Sequence, residues 1–147
     1  MKGNSPILQT GTATQRARSQ ARPIILIAED SADSREMMQQ LFRLKGYEVV
    51  AAGDGVRAVE AALQTHPDVI FIDLQLPKLD GLSVTKDLRS HPELKRTPIF
   101  IVSGHDPATY RQAALEAGCN DYLLKPIDFD RLDRLLREIV PATSVPA

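Results

Sequence analysis

The chain is poor in the residues that staple or anchor proteins: of its 147 residues one is cysteine, three are histidine and 5% are aromatic. A lone Cys119 allows no disulfide and no cysteine metal site within the chain, and it reads as a small apolar filler rather than a nucleophile. No apolar run approaches the roughly 18 residues of a membrane span. The start of the chain also lacks the apolar centre of a signal peptide, because Pro6-Ile7-Leu8 is followed at once by polar residues. A cytoplasmic protein without membrane insertion is therefore expected. Acids are missing from the first 22 residues, which carry Lys2, Arg16, Arg18 and Arg22. Residues 23–147 are left with 14 basic and 19 acidic groups, a net charge of −5. A domain of that sign is a poor non-specific ligand for nucleic acid, whose phosphates demand a basic surface.

What the chain does contain is a set of short apolar runs, each ending in a polar residue. Ile24–Ala28 ends in Glu29-Asp30, Val69–Ile72 in Asp73, Ile99–Val102 in Ser103, and Tyr122-Leu123-Leu124 in Lys125-Pro126. Runs this short, separated by helix-like segments, read as buried strands of a parallel sheet. The βα alternation repeats five times from Pro23 onward. Residues 1–22 offer little to bury and are expected to be a disordered tail, 23–140 one folded domain, and 141–147 a short C-terminal tail.

Local signals place the elements. Asp33 and Glu36 have capping-box spacing ahead of a helix burying Met38, Leu41, Phe42 and Met37, which Gly46 stops at its C′ position. Tyr47–Ala51 alternates enough to be a strand near an edge. Gly53-Asp54-Gly55 is a turn opening a helix with Val56, Val59, Ala62 and Leu63 inward. Leu82, Val84 and Leu88 belong to a third helix. Pro107 suits the first turn of a fourth, which ends at Gly118. Asp128 caps a fifth, with Leu132, Leu135, Leu136 and Ile139 at helical spacing.

In open α/β sheets, ligands bind outside the carboxyl ends of the strands. Strands lying side by side would bring three carboxylates, a hydroxyl and an ammonium to one edge. Two carboxylates about 4 Å apart repel by roughly 4 kcal/mol at an effective dielectric near 20. Either one keeps a proton or a cation neutralises the cluster. Every candidate ligand is oxygen, with no histidine or cysteine beside the acids, so a hard divalent ion fits, and Mg²⁺ best. With metal present a carboxylate can attack a phosphoryl group to give an acyl phosphate. Asp73, ending the central strand, is the nucleophile candidate, and Glu29-Asp30 is better placed to hold metal. Lys125 supplies an ammonium and Ser103 a hydroxyl to the transferred group.

Across about Pro23 to Val140 the chain resembles the receiver domain of bacterial two-component response regulators. The matching residues are Glu29-Asp30, Asp73 followed by Leu74-Gln75-Leu76-Pro77 and Asp80-Gly81, Ser103, and Lys125-Pro126. Their spacing matches too, with 30 residues from Asp73 to Ser103 and 22 from Ser103 to Lys125. The resemblance implies a flavodoxin-like, doubly wound, five-stranded parallel sheet in order 2-1-3-4-5 with five helices. It implies phosphorylation on Asp73 and Mg²⁺ held by Asp30, by Glu29 through water, by Asp73 and by the Gln75 carbonyl. Lys125 would pair with the phosphoryl oxygens and Ser103 move to bond them. Lys125-Pro126 would be a cis peptide. Tyr122 matches the switch aromatic, which turns inward as the serine hydroxyl is drawn to phosphate. A histidine kinase or histidine phosphotransfer protein is implied on the input side, and on the output side an effector protein bound by the fourth helix, fifth strand and fifth helix. The state implied is a monomer or a phosphorylation-dependent dimer. Glu29 stands where Asp is commoner and Ser103 where Thr is commoner, without loss of a required group. Gln75 and His105 occupy positions that tune acyl-phosphate hydrolysis.

Other functions fit the same topology less well. An aspartyl phosphatase of the haloacid-dehalogenase type needs a second acid two residues after the nucleophile, where this chain has Gln75. A flavodoxin-like FMN carrier would cradle phosphate after the first strand, where Glu29 and Asp30 would repel it. A non-phosphorylated interaction module is the remaining alternative. No turnover of a separate substrate is expected.

Overall fold

The computed structural model describes residues 22–140; the expected tails, apart from Arg22, lie outside them. Five strands alternate with five helices: β1 (Ile24–Ala28), α1 (Ala32–Leu44), β2 (Glu48–Ala52), α2 (Gly55–Thr65), β3 (Val69–Asp73), α3 (Gly81–Arg89), β4 (Ile99–Ser103), α4 (Pro107–Ala117), β5 (Asp121–Leu124) and α5 (Phe129–Ile139). A short 3₁₀ turn, Pro92–Leu94, precedes β4. The strands form one sheet in order β2-β1-β3-β4-β5, and every neighbouring pair is parallel. This is the doubly wound, flavodoxin-like architecture expected from the resemblance.

Alternation along each strand divides the core in two. Ile25, Ile27, Val69, Phe71, Phe100, Val102 and Leu123 point to one face, where Met38 and Phe42 of α1 and Leu132 and Leu136 of α5 cover them. Leu26, Ala28, Ile70, Ile72, Ile99, Ile101 and Tyr122 point to the other, covered by α2, α3 and α4. Strands buried on both faces must be apolar throughout, which is why they are unbroken runs in the sequence. On the first face Phe42, Phe71 and Phe100 stack in a row with ring centres 5.7 and 5.6 Å apart. β2 is one edge of the sheet, β5 the other, and the residues of β2 are mostly half-buried.

Three local expectations need correction. The cap of α1 is Ser31, whose Oγ accepts from the Ser34 amide, not Asp33. Capping at Ser31 lets the helix begin at Ala32, two residues earlier than a cap at Asp33 would. Asp33 then lies in the first turn, and Glu36 accepts instead from the Gln40 side-chain amide. Met37 is 54% exposed, because the inward axis of α1 runs through Met38 and Phe42, and Met37 is rotated about 100° from it. Val56 is likewise 44% exposed. Ala58 and Ala62 form the inward face of α2, and their small side chains let the helix lie close to the sheet. A methyl group added to Gly55 would overlap the Leu79 carbonyl oxygen, so α2 and the β3–α3 loop meet backbone to backbone there.

At the far end of α3, Arg89 ties three segments together. Its guanidinium donates to the carbonyls of Leu94, Lys95, Thr97 and Gly118 and to Asn120 Oδ1, at 2.7–3.2 Å. Asn120 Oδ1 also accepts from the Ile99 amide at the start of β4.

Candidate phosphoryl-accepting site

The sheet register sets the site. β1, β3 and β4 end side by side, with Ala28 paired to Ile72 and Asp73 paired to Val102. The residues just beyond or at these ends, Glu29-Asp30, Asp73 and Ser103, are therefore delivered to one rim. Glu29, Asp30 and Asp73 each offer a carboxylate oxygen within 4.8 Å of the others. Helix starts crowd the same rim, capped by Ser31, Asp54, Asp80, Asp106 and Asp128. Gly81 is needed here: a Cβ on it would stand 2.5 Å from the Asp73 carbonyl oxygen.

Lys125 reaches back from the end of β5. Its Nζ donates to Asp73 Oδ2 at 2.9 Å and to Glu29 Oε1 at 3.1 Å. The Lys125 amide donates to the Ser103 carbonyl at 2.8 Å, which fixes the base of the side chain beside β4. The peptide to Pro126 is cis. Glu29 is buried, and its Oε2 accepts from the Ser31 amide at 3.0 Å. Burial pushes the Glu29 carboxyl above the usual carboxylate range and the Asp73 charge adds to this, while the Ser31 amide and Lys125 pull against it. Burial also disfavours the Lys125 cation, yet its bonds to Asp73 and Glu29 outweigh this and raise its pKa. The expectation that a cation or a proton relieves the acids is thus met partly within the chain. Three carboxylates and one ammonium leave two negative charges.

That balance and an all-oxygen donor set fit a hard divalent ion. The Gln75 amide donates to Asp73 Oδ1 at 3.1 Å, fixing the carboxylate's orientation. Ser103 is 1% exposed, and its Oγ accepts from the His105 amide at 3.0 Å. With that lone pair used, its hydroxyl proton is available for donation. Tyr122 is 5% exposed, turned inward, and its hydroxyl donates to the His105 carbonyl at 2.9 Å. One residue, His105, thus bonds to Ser103 through its amide and to Tyr122 through its carbonyl.

Sequence reasoning missed Arg35. Its Nη1 donates to the Glu29 carbonyl at 2.8 Å and to that of Asp30 at 3.4 Å. The available signal was a cation close behind a helix start, where the helix dipole disfavours positive charge.

Residues 25–137 match the model of the response regulator receiver domain. The chain is 32% identical over 121 residues to the regulatory protein AtoC of Escherichia coli, covering 82% of this chain and 26% of AtoC. It is 35% identical over 120 residues to the response regulator MprA of a Mycobacterium species (strain KMS), covering 82% of this chain and 51% of MprA. The chain thus spans about a quarter to a half of the length of these curated relatives. Among solved structures, the receiver domain of the sensor histidine kinase PA1611 from Pseudomonas aeruginosa superposes with a TM-score of 0.74 at 35% identity. That match covers 80% of this chain and 97% of the other, and the PA1611 domain carries a magnesium ion in its active-site cleft. Receiver domains are signalling modules of two-component systems rather than substrate-turnover enzymes, and this chain belongs to the response regulator receiver domain family.

Proposed function

We propose that residues 23–140 form a phosphorylation-controlled switch in which Asp73 accepts a phosphoryl group from a histidine kinase or histidine phosphotransfer protein. The observation that carries this reading is the Lys125 ammonium bridging Asp73 and Glu29 within a cluster of three carboxylates. An Asp73 oxygen attacks phosphorus, the P–N bond of the phosphohistidine breaks, and the imidazole leaves with the electron pair. Glu29, Asp30, Asp73 and the Gln75 carbonyl would hold Mg²⁺, which neutralises charge on the transferring oxygens.

Lys125, already at Asp73, shifts its bonds to the phosphoryl oxygens. Ser103 donates its free hydroxyl proton to the same group. Because His105 bonds to both Ser103 and Tyr122, a displacement of Ser103 is passed to the Tyr122 hydroxyl. The change is then read on the surface of α4, β5 and α5 by an effector protein, or the phosphoryl group is relayed onward. The protein works in the cytoplasm as a monomer or as a phosphorylation-dependent dimer, and it takes neither nucleic acid nor a membrane as a partner. No helix among the described residues is long and apolar enough to cross a membrane. Gln75 provides no general acid for turnover of phosphomonoesters.

Acetyl phosphate with Mg²⁺ tests the proposal by intact-mass spectrometry. The wild-type chain should gain one phosphoryl group and Asp73→Asn none. Absence of label on the wild type, or equal label on the variant, would refute it.

A further inference from the structure

Arg35 is the last residue of the first turn of α1. A cation so near a helix start faces the positive end of the dipole, at a cost of about 0.3–1 kcal/mol. Among the described residues its bonds go to two successive peptide carbonyls, those of Glu29 and Asp30, and to no carboxylate. The guanidinium also lies against the β2–α2 turn, with Nη1 3.3 Å from where a Cβ on Gly53 would stand. It lines an open cleft together with Asp30, Gly53, Asp54 and Arg57.

Those two carbonyls belong to the residues that carry the paired acids. Glu29's carboxylate is oriented by the Ser31 amide and by Lys125. The exposed Asp30 carboxylate makes no hydrogen bond among the described residues, so the turn's placement of its Cα–Cβ bond is what keeps it within 4.8 Å of the Glu29 and Asp73 carboxylates. Arg35 Nη1, bonded to both carbonyls at 2.8 and 3.4 Å, ties the two peptide units of that turn together.

We propose that Arg35 is a positioning residue for the cation site: it fixes the Glu29-Asp30 turn so that the Asp30 carboxylate stays aimed at Asp73. This rests on the reading that Glu29, Asp30 and Asp73 hold Mg²⁺. Two effects of Arg35 on a bound cation have opposite signs. Its charge repels Mg²⁺, so its removal would tighten binding if charge were all that mattered. Its hold on the turn organises the ligands, and losing such an outer partner typically weakens metal affinity about 10–100-fold.

The test is a Mg²⁺ titration without phosphodonor, followed by the amide NMR shifts of Ser31 and Gln75. Arg35→Ala should raise the Mg²⁺ Kd about tenfold. Arg35→Lys, which keeps the charge and N–H donors on a shorter, less rigid side chain, should fall between Ala and wild type. A Kd for Arg35→Ala equal to or tighter than wild type overturns the proposal. If Arg35→Ala does not fold, Arg35→Lys decides alone: a Kd at least threefold weaker supports it, and an unchanged Kd overturns it. A wild-type chain that fails to bind Mg²⁺ would remove the cation reading and this inference together. Normal wild-type binding with an indifferent Arg35→Ala removes the inference only.

Discussion

Glu29 is the acid whose ionisation the fold most clearly resists, since burial and the Asp73 charge raise its carboxyl above its ordinary value. A raised carboxyl contributes stability fully present below its unfolded pKa and lost as pH rises through the folded value. Glu29→Gln should therefore raise the melting temperature of the metal-free protein at pH 7.5, and the gain should shrink on lowering the pH to 5. Circular dichroism melts at the two pH values check this. Lys125 has the complementary role. Its raised pKa means that its contribution holds below the ordinary lysine value and fades only as pH rises past it. Lys125→Met should lower metal-free stability at neutral pH, and acidification should recover part of the loss as Glu29 takes a proton. The acidic residues, Ser103 and Lys125 were legible in the chain because each terminates an apolar run. The Lys125–Glu29 pair and the Arg35 bonds were not, because they join residues whose proximity depends on how the strand ends and the first helix turn pack.

Among the elements, the caps and contacts of single turns give the sharpest expectations. Asp128 accepts from the amides of both Asp130 and Arg131, so Asp128→Ala should cost about 1 kcal/mol, measurable by urea denaturation with an unchanged m-value. Gly55→Ala drives a methyl into the Leu79 carbonyl. It should cost about 1–3 kcal/mol by the same measurement, although alanine is the better helix former. The strands were readable from sequence because full burial on both faces forbids polar interruptions. β5, Asp121–Leu124, contains the apolar run Tyr122-Leu123-Leu124 that marked it in the sequence. The helix starts were harder. Ser31 and Asp33 are both good capping residues two positions apart, and only the distance left after β1 decides between them. Inward faces were misjudged at Met37 and Val56 for a related reason: hydrophobicity marks a residue as able to be buried, while rotation about the helix axis decides whether it is.

On the scale of the whole molecule, Cys119 reports on opening of the entire core. It is buried in the cluster under α2, α3 and α4, and burial pushes its thiol up to about 11. Alkylation by iodoacetamide at pH 8 should be slow in the native protein and should follow the global unfolding equilibrium as urea is added. Rapid labelling in the absence of denaturant would mean that this half opens on its own. Saturating the site should also shift that equilibrium. Mg²⁺ at about 100 times its Kd should add about 2.7 kcal/mol, reversed by a chelator and absent in Asp30→Asn. The Arg89 anchor behaves differently from everything on the acidic rim. All its acceptors are neutral amide oxygens, so neither protonation of an acid nor ordinary buffer salt has an ion pair there to dissolve. A single chain thus has a rim tuned by solution chemistry and, at the end of α3, an Arg89 anchor with no ionisable acceptor, which gives any movement begun at the charged rim a fixed point to be measured against.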